Sequence, residues 1–583
     1  MTASHLASQL EALAARLEAQ PGHVTLLADD LQLHPDALAD LTEDPRERTA
    51  ALVSRERGDV RLGARADVRV RGGRVVAAAS AVHRVRSADA TFVGALRVAD
   101  SDRAAAAEAV RSMAGLAHRS GWSGDALDYL LVAMVRAGVP VVTVALDPWP
   151  WQRGAPPADR EAFAAELATI GPDASHRLRL ARATKADDGA VATILSRPLS
   201  RRLTPLALRL CLTPNQVTVA SVLVGLAAAG CFATGDRALL LAGAVLLQLS
   251  LVVDCVDGDV ARYTRSFSAT GAWLDASTDR LKEFACYGGL AWGAGGDAAW
   301  LLAAAMLTLQ TARHTVDYTF TAVKELREGE SALGPLDRLD DGPDEPSSAS
   351  ARAVAASERS NRRPVLKWAK RALHLSIGER WLVLSVLAAA GRPRLALGVL
   401  LALGLVSLAY TSAGRVLRTR AWVRRDPSPR EREIVAAQAD PGPLPDGVGS
   451  LVAAGSSRAL WVRPALLRLA EYAALVALAG TAGGSALPAA YALLLVVASH
   501  HYDDLYRVLN GLSGAPRAVQ VAGLGTAGRL LLVAVLSGVG GDVLVWGLWS
   551  VTAALGALFL VLGPVRVMQE VRTAPTLDGQ PAG

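Results

Sequence analysis

Apolar and polar positions change their rhythm along the chain. Residues 1–200 alternate charged and apolar stretches at short intervals, whereas 213–322, 377–413 and 464–563 hold long Ala, Leu, Val and Gly runs with few charges. A run of about twenty residues is the length an α-helix needs to cross a bilayer core. The pattern predicts six apolar helices over 215–233, 238–261, 271–293, 298–321, 378–391 and 394–413. Four more are predicted over 464–481, 485–501, 527–540 and 543–562. A polar segment, 323–363, interrupts the first set and contains the disorder-like DRLDDGPDEPSSASARAVAASERSNRR.

The shorter rhythm of the first 180 residues predicts a soluble α/β domain. An amphipathic helix, HLASQLEALAARLEAQ, precedes a short buried strand, VTLLADD (24–30). DVRV and GGRVVAAA read as a hairpin around Gly72-Gly73, helices follow at 103–118 and 124–137, and VPVVTVAL reads as another buried strand. The expected organisation is therefore an α/β domain over 1–180, a membrane domain over 183–422 entered by a basic juxtamembrane stretch (185–212), a Pro- and charge-rich linker over 423–456, and a four-helix membrane domain over 457–570.

Composition strengthens the membrane reading. The 583 residues are 51% hydrophobic but only 5% aromatic, with a positive mean hydropathy of +0.27. The net charge of +6 does not point to nucleic acid, because the Arg residues flank apolar runs and form no basic stripe interleaved with aromatics. They fit cytoplasmic loops beside anionic lipid. The stretch before the first helix, the turn with Arg262 and Arg265, the loop 323–376 and the segment after 413 are basic; the opposite turns hold little beyond Arg237, Arg392 and Arg394. This predicts a multi-pass cell-membrane protein with the N-terminal domain, the 262–270 turn and both linkers in the cytoplasm. Cys211, Cys231, Cys255 and Cys286 lie in or beside apolar helices without CxxC spacing, which predicts neither disulfides nor a zinc site. The N-terminus lacks the pattern of a signal peptide.

The chemistry concentrates in VVDCVDGDVARYTRSFSATGAWLDASTDR, 252–280. Acids inside membrane helices are expensive and mark function. Asp254 and Asp257 are three apart at the end of the second helix, and Asp275 and Asp279 four apart at the start of the third, so each pair shares a helical face; Asp259 falls outside the pattern. A turn of about a dozen residues lets the two helix ends meet and the four carboxylates converge. Hard divalent cations are their natural partner. Gly258 and Gly271 leave space beside the acids, Ala261 keeps the helix surface shallow, and Arg262 offers a fork for a phosphate. A two-metal site of this kind activates an attacking oxygen and stabilises a pyrophosphate leaving group.

At these positions the chain resembles the CDP-alcohol phosphatidyltransferase family, whose signature is D-x2-D-G-x2-A-R-x8-G-x3-D-x3-D; Asp254, Asp257, Gly258, Ala261, Arg262, Gly271, Asp275 and Asp279 match it with every spacing intact. The resemblance implies a six-helix core over 213–413 and two Mg²⁺ or Mn²⁺ ions held by Asp254, Asp257 and Asp275. It implies that Asp279, close to the ions and counted with their ligands, is the base toward an acceptor hydroxyl. It also implies that Asp254, Asp257, Gly258, Ala261, Arg262 and Gly271 line the site of a CDP-alcohol such as CDP-diacylglycerol or a CDP-polyol, joined by Pro214 and Asn215 of the family's Pro-Asn helix entry. The long polar insert between the fourth and fifth helices departs from the family pattern.

The segment KADDGAVATILSRPLSRRLTPLALRLCLTPNQVT resembles the entry to di-myo-inositol-phosphate-phosphate synthases, which implies an inositol phosphate as acceptor; Arg197, Arg201, Arg202 and Arg313 are candidate phosphate ligands. A homodimer is expected. The N-terminal domain resembles the latter part of a sugar-phosphate nucleotidyltransferase through VTLLADDLQLHPDALADL, TFVGALRV and VPVVTVALDPWPWQR. The glycine-rich nucleotide loop has no counterpart before Val24, so Asp29 and Asp30 read as remnants or simple strand-end acids and the domain as degenerate. In SHHYDDLYR, the adjacent His500, His501, Asp503 and Asp504 fit a polar membrane-interface cluster better than a metal site, and Glu471 and Arg529 are expected to pair. The rival to an enzyme is a membrane scaffold or transporter that works through its last four helices; the intact acidic signature argues against it.

Overall fold

The computed structural model describes residues 3–573 apart from 56–65, 87, 186–187, 333–334, 342–348, 362, 423–425, 444–458, 482–483 and 510–515. The chain divides into two compact units: Met1–Thr184 with Ala261–Ser268 and Glu325–Glu345, and Lys185–Val260 with Ala269–Lys324 and Pro346–Gly583.

The first unit is built on a six-stranded sheet. Its strands run in the order Val24–Leu27, Ala90–Val98, Ala50–Ser54, Val142–Ala145, Arg74–Ala78, Asp67–Arg71. Asp67–Arg71 also pairs with Ala90–Val98, so five strands close into a ring. The expected hairpin is present: Arg71 pairs with Arg74 across Gly72 and Gly73, whose φ values of 57° and 76° only glycine adopts cheaply. Ala50–Ser54 is buried throughout, but its run of four apolar residues carries no period that separates strand from helix. The expected strand at the end of the domain narrows to Val142–Ala145 and is only half-buried.

Helices cover the sheet. Leu6, Leu10, Ala14 and Leu17 of Ala3–Ala19 recur at helical spacing and pack in one core with Met113 and Leu130. Burial of each such leucine stabilises by about 1.5–3 kcal/mol. The predicted 103–118 helix is Arg103–Ser120, ended by Gly121 at φ 70°; the next is Ala126–Arg136, capped by Asp125. Buried Arg153 ties this layer together, reaching Asp125 at 2.8 Å, Asp128 at 3.0 Å and Asp30 at 3.5 Å. Burial raises the Asp128 carboxyl to about 6 against the pull of Arg153. Asp30 thus serves an ion pair, in keeping with its reading as a strand-end acid.

Two segments from later in the sequence complete this unit. Arg265 binds Asp40 at 2.8 Å and Glu43 at 2.7 Å, and the Tyr263 hydroxyl lies 2.6 Å from His176 Nδ1. His83 Nε2 lies 3.0 Å from the Leu336 carbonyl, and Asp340–Asp341 pairs with Arg84–Val85. The polar segment is therefore structured at both ends. The disorder expected over 337–363 is corrected here by that strand and by a helix at Ala349–Ser360; residues 342–348 lie outside the described residues.

In the second unit all ten expected apolar segments are helical. The first four are Pro214–Ala233, Arg237–Thr264, Ala269–Ala294 and Asp297–Ala332. Among the described residues five helical spans are long and apolar enough to cross a membrane: Pro214–Ala233, Arg237–Thr264, Pro393–Arg420, Arg517–Val539 and Gly541–Phe559. The expected fifth helix is only Ile377–Ala389; Val365–His374 precedes it at an angle of 69°, and the bent pair counts as a sixth candidate. The C-terminal set is Arg463–Gly480, Leu487–Leu509, Gly525–Val539 and Gly541–Thr573.

Small residues set the closest helix approach. Along Pro214–Ala233, Ser221, Gly225 and Ala229 recur every fourth residue, and Ala269–Ala294 answers with Gly289 and Gly293. A Cβ on Gly289 would collide with the Ala229 carbonyl oxygen, and one on Gly293 with that of Phe232. Backbones can approach this closely only across such small-residue stripes.

Candidate metal centre

The centre is formed by Pro214–Ala233 and the two acidic helices, Arg237–Thr264 and Ala269–Ala294. Thr213 and Gln216 close a capping box with Pro214 in the first turn, which fixes where the first helix starts and so where its hydroxyls fall. Pro214 thereby has a structural role, and Asn215 is exposed. The acidic helices extend further than expected, leaving 265–268 between them rather than a dozen residues.

Asp254, Asp257 and Asp275 each offer an oxygen within 4.8 Å of the others. Hydroxyls from the first helix orient two of them. Thr218 donates to Asp257 Oδ2 at 2.6 Å, and Ser221 to Asp254 Oδ1 at 3.3 Å. Three carboxylates on two helices, with hydroxyls behind them, fit a hard divalent cation such as Mg²⁺ or Mn²⁺. Asp279 is not in that triad. Its Oδ1 lies 2.9 Å from Lys282 Nζ, and its Oδ2 4.0 Å from Arg280.

Lys282 was missed in the sequence reading. Its fully buried ammonium donates to Asp254 Oδ1 at 2.6 Å and to Ser221 Oγ at 2.9 Å. Gly225 makes room for its stem: a Cβ there would meet Lys282 Cγ and Cδ at 2.9 Å. The available signal was a lysine, one of only five in the chain, three residues after Asp279 on the same helical face. A second polar layer follows. Glu283 accepts from Arg380 at 2.6 and 2.9 Å, from Arg280 at 3.2 Å and from Tyr287 at 2.6 Å.

The other predicted residues separate by environment. Asp259 is buried away from the triad and accepts from Ser200 at 2.9 Å and Arg197 at 3.3 Å. Arg197 also binds Asp188 at 2.7 Å, and Arg313 donates to the His374 carbonyl at 2.7 Å and to Ser407 at 2.9 Å. Both guanidiniums are thus engaged in helix-to-helix contacts. Arg201 and Arg202 are exposed on the helix Arg197–Arg209. Gly258, Ala261 and Gly271 are half-buried, and Arg262 donates to the Ala183 carbonyl within the first unit.

The C-terminal helices bury a separate charged network. Glu471 and Arg529 pair at 2.6 Å, as expected, and are joined by Arg468 and Asp440, each 2.6 Å from its partner. His501 lies 3.0 Å from Asp440, whereas His500 stacks on Phe559 with ring centres 3.8 Å apart. Asp503 instead accepts from Trp273 of the second acidic helix at 2.5 Å. All four adjacent residues are buried, with Asp440, Trp273 and neighbouring arginines as partners inside the bundle.

Residues 211–336 match the CDP-alcohol phosphatidyltransferase family, and 434–581 a family of unknown function (DUF5941). The chain is 31% identical over 228 residues to a bifunctional IPC transferase and DIPP synthase of Rubrobacter xylanophilus, covering 39% of this chain and 46% of that protein. It is 38% identical over 104 residues to the protein of the same name from Aquifex aeolicus, covering 18% and 23%. It is 36% identical over 118 residues to a phosphatidylinositol phosphate synthase of Mycolicibacterium smegmatis, covering 20% and 52%. The chain thus spans less than half the length of the bifunctional relatives it matches.

Proposed function

We propose that this chain transfers a phosphoalcohol group from a CDP-alcohol to an acceptor hydroxyl and releases CMP, in phospholipid or polyol-phosphate biosynthesis. The observation that carries the reading is the meeting of Asp254, Asp257 and Asp275 from two helices that also hold the intact family signature. These three would hold Mg²⁺ or Mn²⁺, which when bound offsets the charge on the diphosphate and polarises its phosphoryl oxygens.

Asp279 takes the proton of the acceptor hydroxyl. The acceptor oxygen then bonds to the β-phosphorus of the donor while the bond from that phosphorus to the bridging oxygen breaks, and the electron pair leaves with CMP. Gly258, Ala261 and Gly271 leave a shallow surface for the cytidine diphosphate, and Arg262 serves as its phosphate ligand only by exchanging the Ala183 carbonyl it now holds. Of the acceptor candidates, exposed Arg201 and Arg202 are the stronger, since Arg197 and Arg313 already hold protein groups. The relatives' names favour an acceptor or donor of the inositol phosphate class. The basic turns favour a cytoplasmic site.

The test is CMP release by the full chain from a panel of CDP-alcohols with inositol phosphate and other hydroxyl acceptors, in Mg²⁺ and in EDTA. Release that needs metal and both substrates supports the reading. No release with any pair, or full release in chelator, overturns it.

A further inference from the structure

The four acids of the signature do not offer two equal metal positions, because a protein cation stands between two of them. Lys282 Nζ lies 2.6 Å from Asp254 Oδ1 and 2.9 Å from Asp279 Oδ1, with Ser221 as its third partner at 2.9 Å. The contacts to Asp254 and Ser221 are charge-assisted hydrogen bonds, and the contact to Asp279 is an ion pair. The ammonium is fixed from several sides: the Gly225 notch receives its stem, its nitrogen is 5.5 Å from the centre of the Trp381 ring, and it is fully buried.

The charge balance points the same way. Around the centre five carboxylates (Asp254, Asp257, Asp275, Asp279 and Glu283) face three cations, Lys282, Arg280 and Arg380. That leaves an excess of two negative charges, which one divalent ion closes. A second would leave two uncompensated positive charges in a buried site, which is strongly unfavourable.

We infer that the protein itself holds one divalent ion, at Asp254, Asp257 and Asp275, and that the Lys282 ammonium occupies the position of a second ion between Asp254 and Asp279. This rests on the metal-dependent reading above and replaces the two ions that the family resemblance implies. It also gives Lys282 a positioning role, since the ammonium holds the Asp279 carboxylate in a fixed orientation.

The experiment counts Mn²⁺ bound to the full-length chain in detergent without donor, by equilibrium dialysis and by the electron spin resonance of the bound ion. Wild type should bind about one Mn²⁺ with an isolated-ion spectrum. Lys282→Met, which keeps a stem against Gly225, and Lys282→Ala should each bind about two, with a spin-coupled spectrum. Two ions in the wild type overturn the inference but leave the metal-dependent reading standing. One ion in a folded Lys282 variant overturns the claim that the ammonium fills the second position. No bound ion in the wild type overturns both readings. Should neither variant fold, the wild-type count alone still decides between one ion and two.

Discussion

The Thr218 hydroxyl donates to Asp257 Oδ2 at 2.6 Å, joining a helix with no acidic residue to the carboxylate cluster of its neighbour. The bond fixes which lone pairs of Asp257 face the triad. Partners of metal ligands typically contribute about 10–100-fold in metal affinity. Thr218→Val should therefore raise the Mg²⁺ concentration needed for half-maximal CMP release by about that factor. An unchanged metal titration would show that Asp257 is oriented by packing alone.

Asp279 and Asp257 should fail in different ways. Removing a general base costs about 10²–10⁴-fold in turnover, so Asp279→Asn should lose that much while binding the CDP-alcohol nearly as before. Asp257→Asn should instead weaken metal and donor binding. Steady-state kinetics with a direct donor-binding assay separate the two, and near-normal turnover in Asp279→Asn reassigns the base.

Glu471 holds Arg468 and Arg529 together inside the C-terminal bundle. Glu471→Ala leaves two buried guanidiniums short of an anion, a loss of about 3–5 kcal/mol for a broken buried pair. The variant should melt at lower temperature in detergent than Glu433→Ala, whose pair with Arg430 is largely exposed. Equal melting of the two variants contradicts the network's structural weight.

The first unit should weaken as its buried acid ionises. Burial raises Asp128 to about 6 from an ordinary 3.8, so the folded unit keeps a proton that the unfolded chain releases. This contribution is fully present below about pH 4 and is lost as pH rises through 6. Asp128→Asn should flatten the pH dependence of stability between those limits, read by chemical denaturation. Arg153→Met should destabilise at all pH values above 6, since it leaves Asp30, Asp125 and Asp128 without their shared cation.

Much of the protein was determined by local sequence. The ten apolar helices follow from run length, the Gly72-Gly73 hairpin from the positive φ both positions need, and the pairing of acids from helical spacing. These features depend on residues within a few turns of one another, so a single sequence carries them. Tertiary structure decided the rest. Whether Asp279 joins the triad or pairs with Lys282 depends on Gly225 of another helix, and whether Arg313 is free depends on the His374 carbonyl and Ser407. The closed ring needs strands as far apart as Ala50–Ser54 and Val142–Ala145, and segment 335–341 is ordered by partners at 83–86. Each choice is between partners distant in sequence. Their distances are set by helix and strand packing, which no local period records.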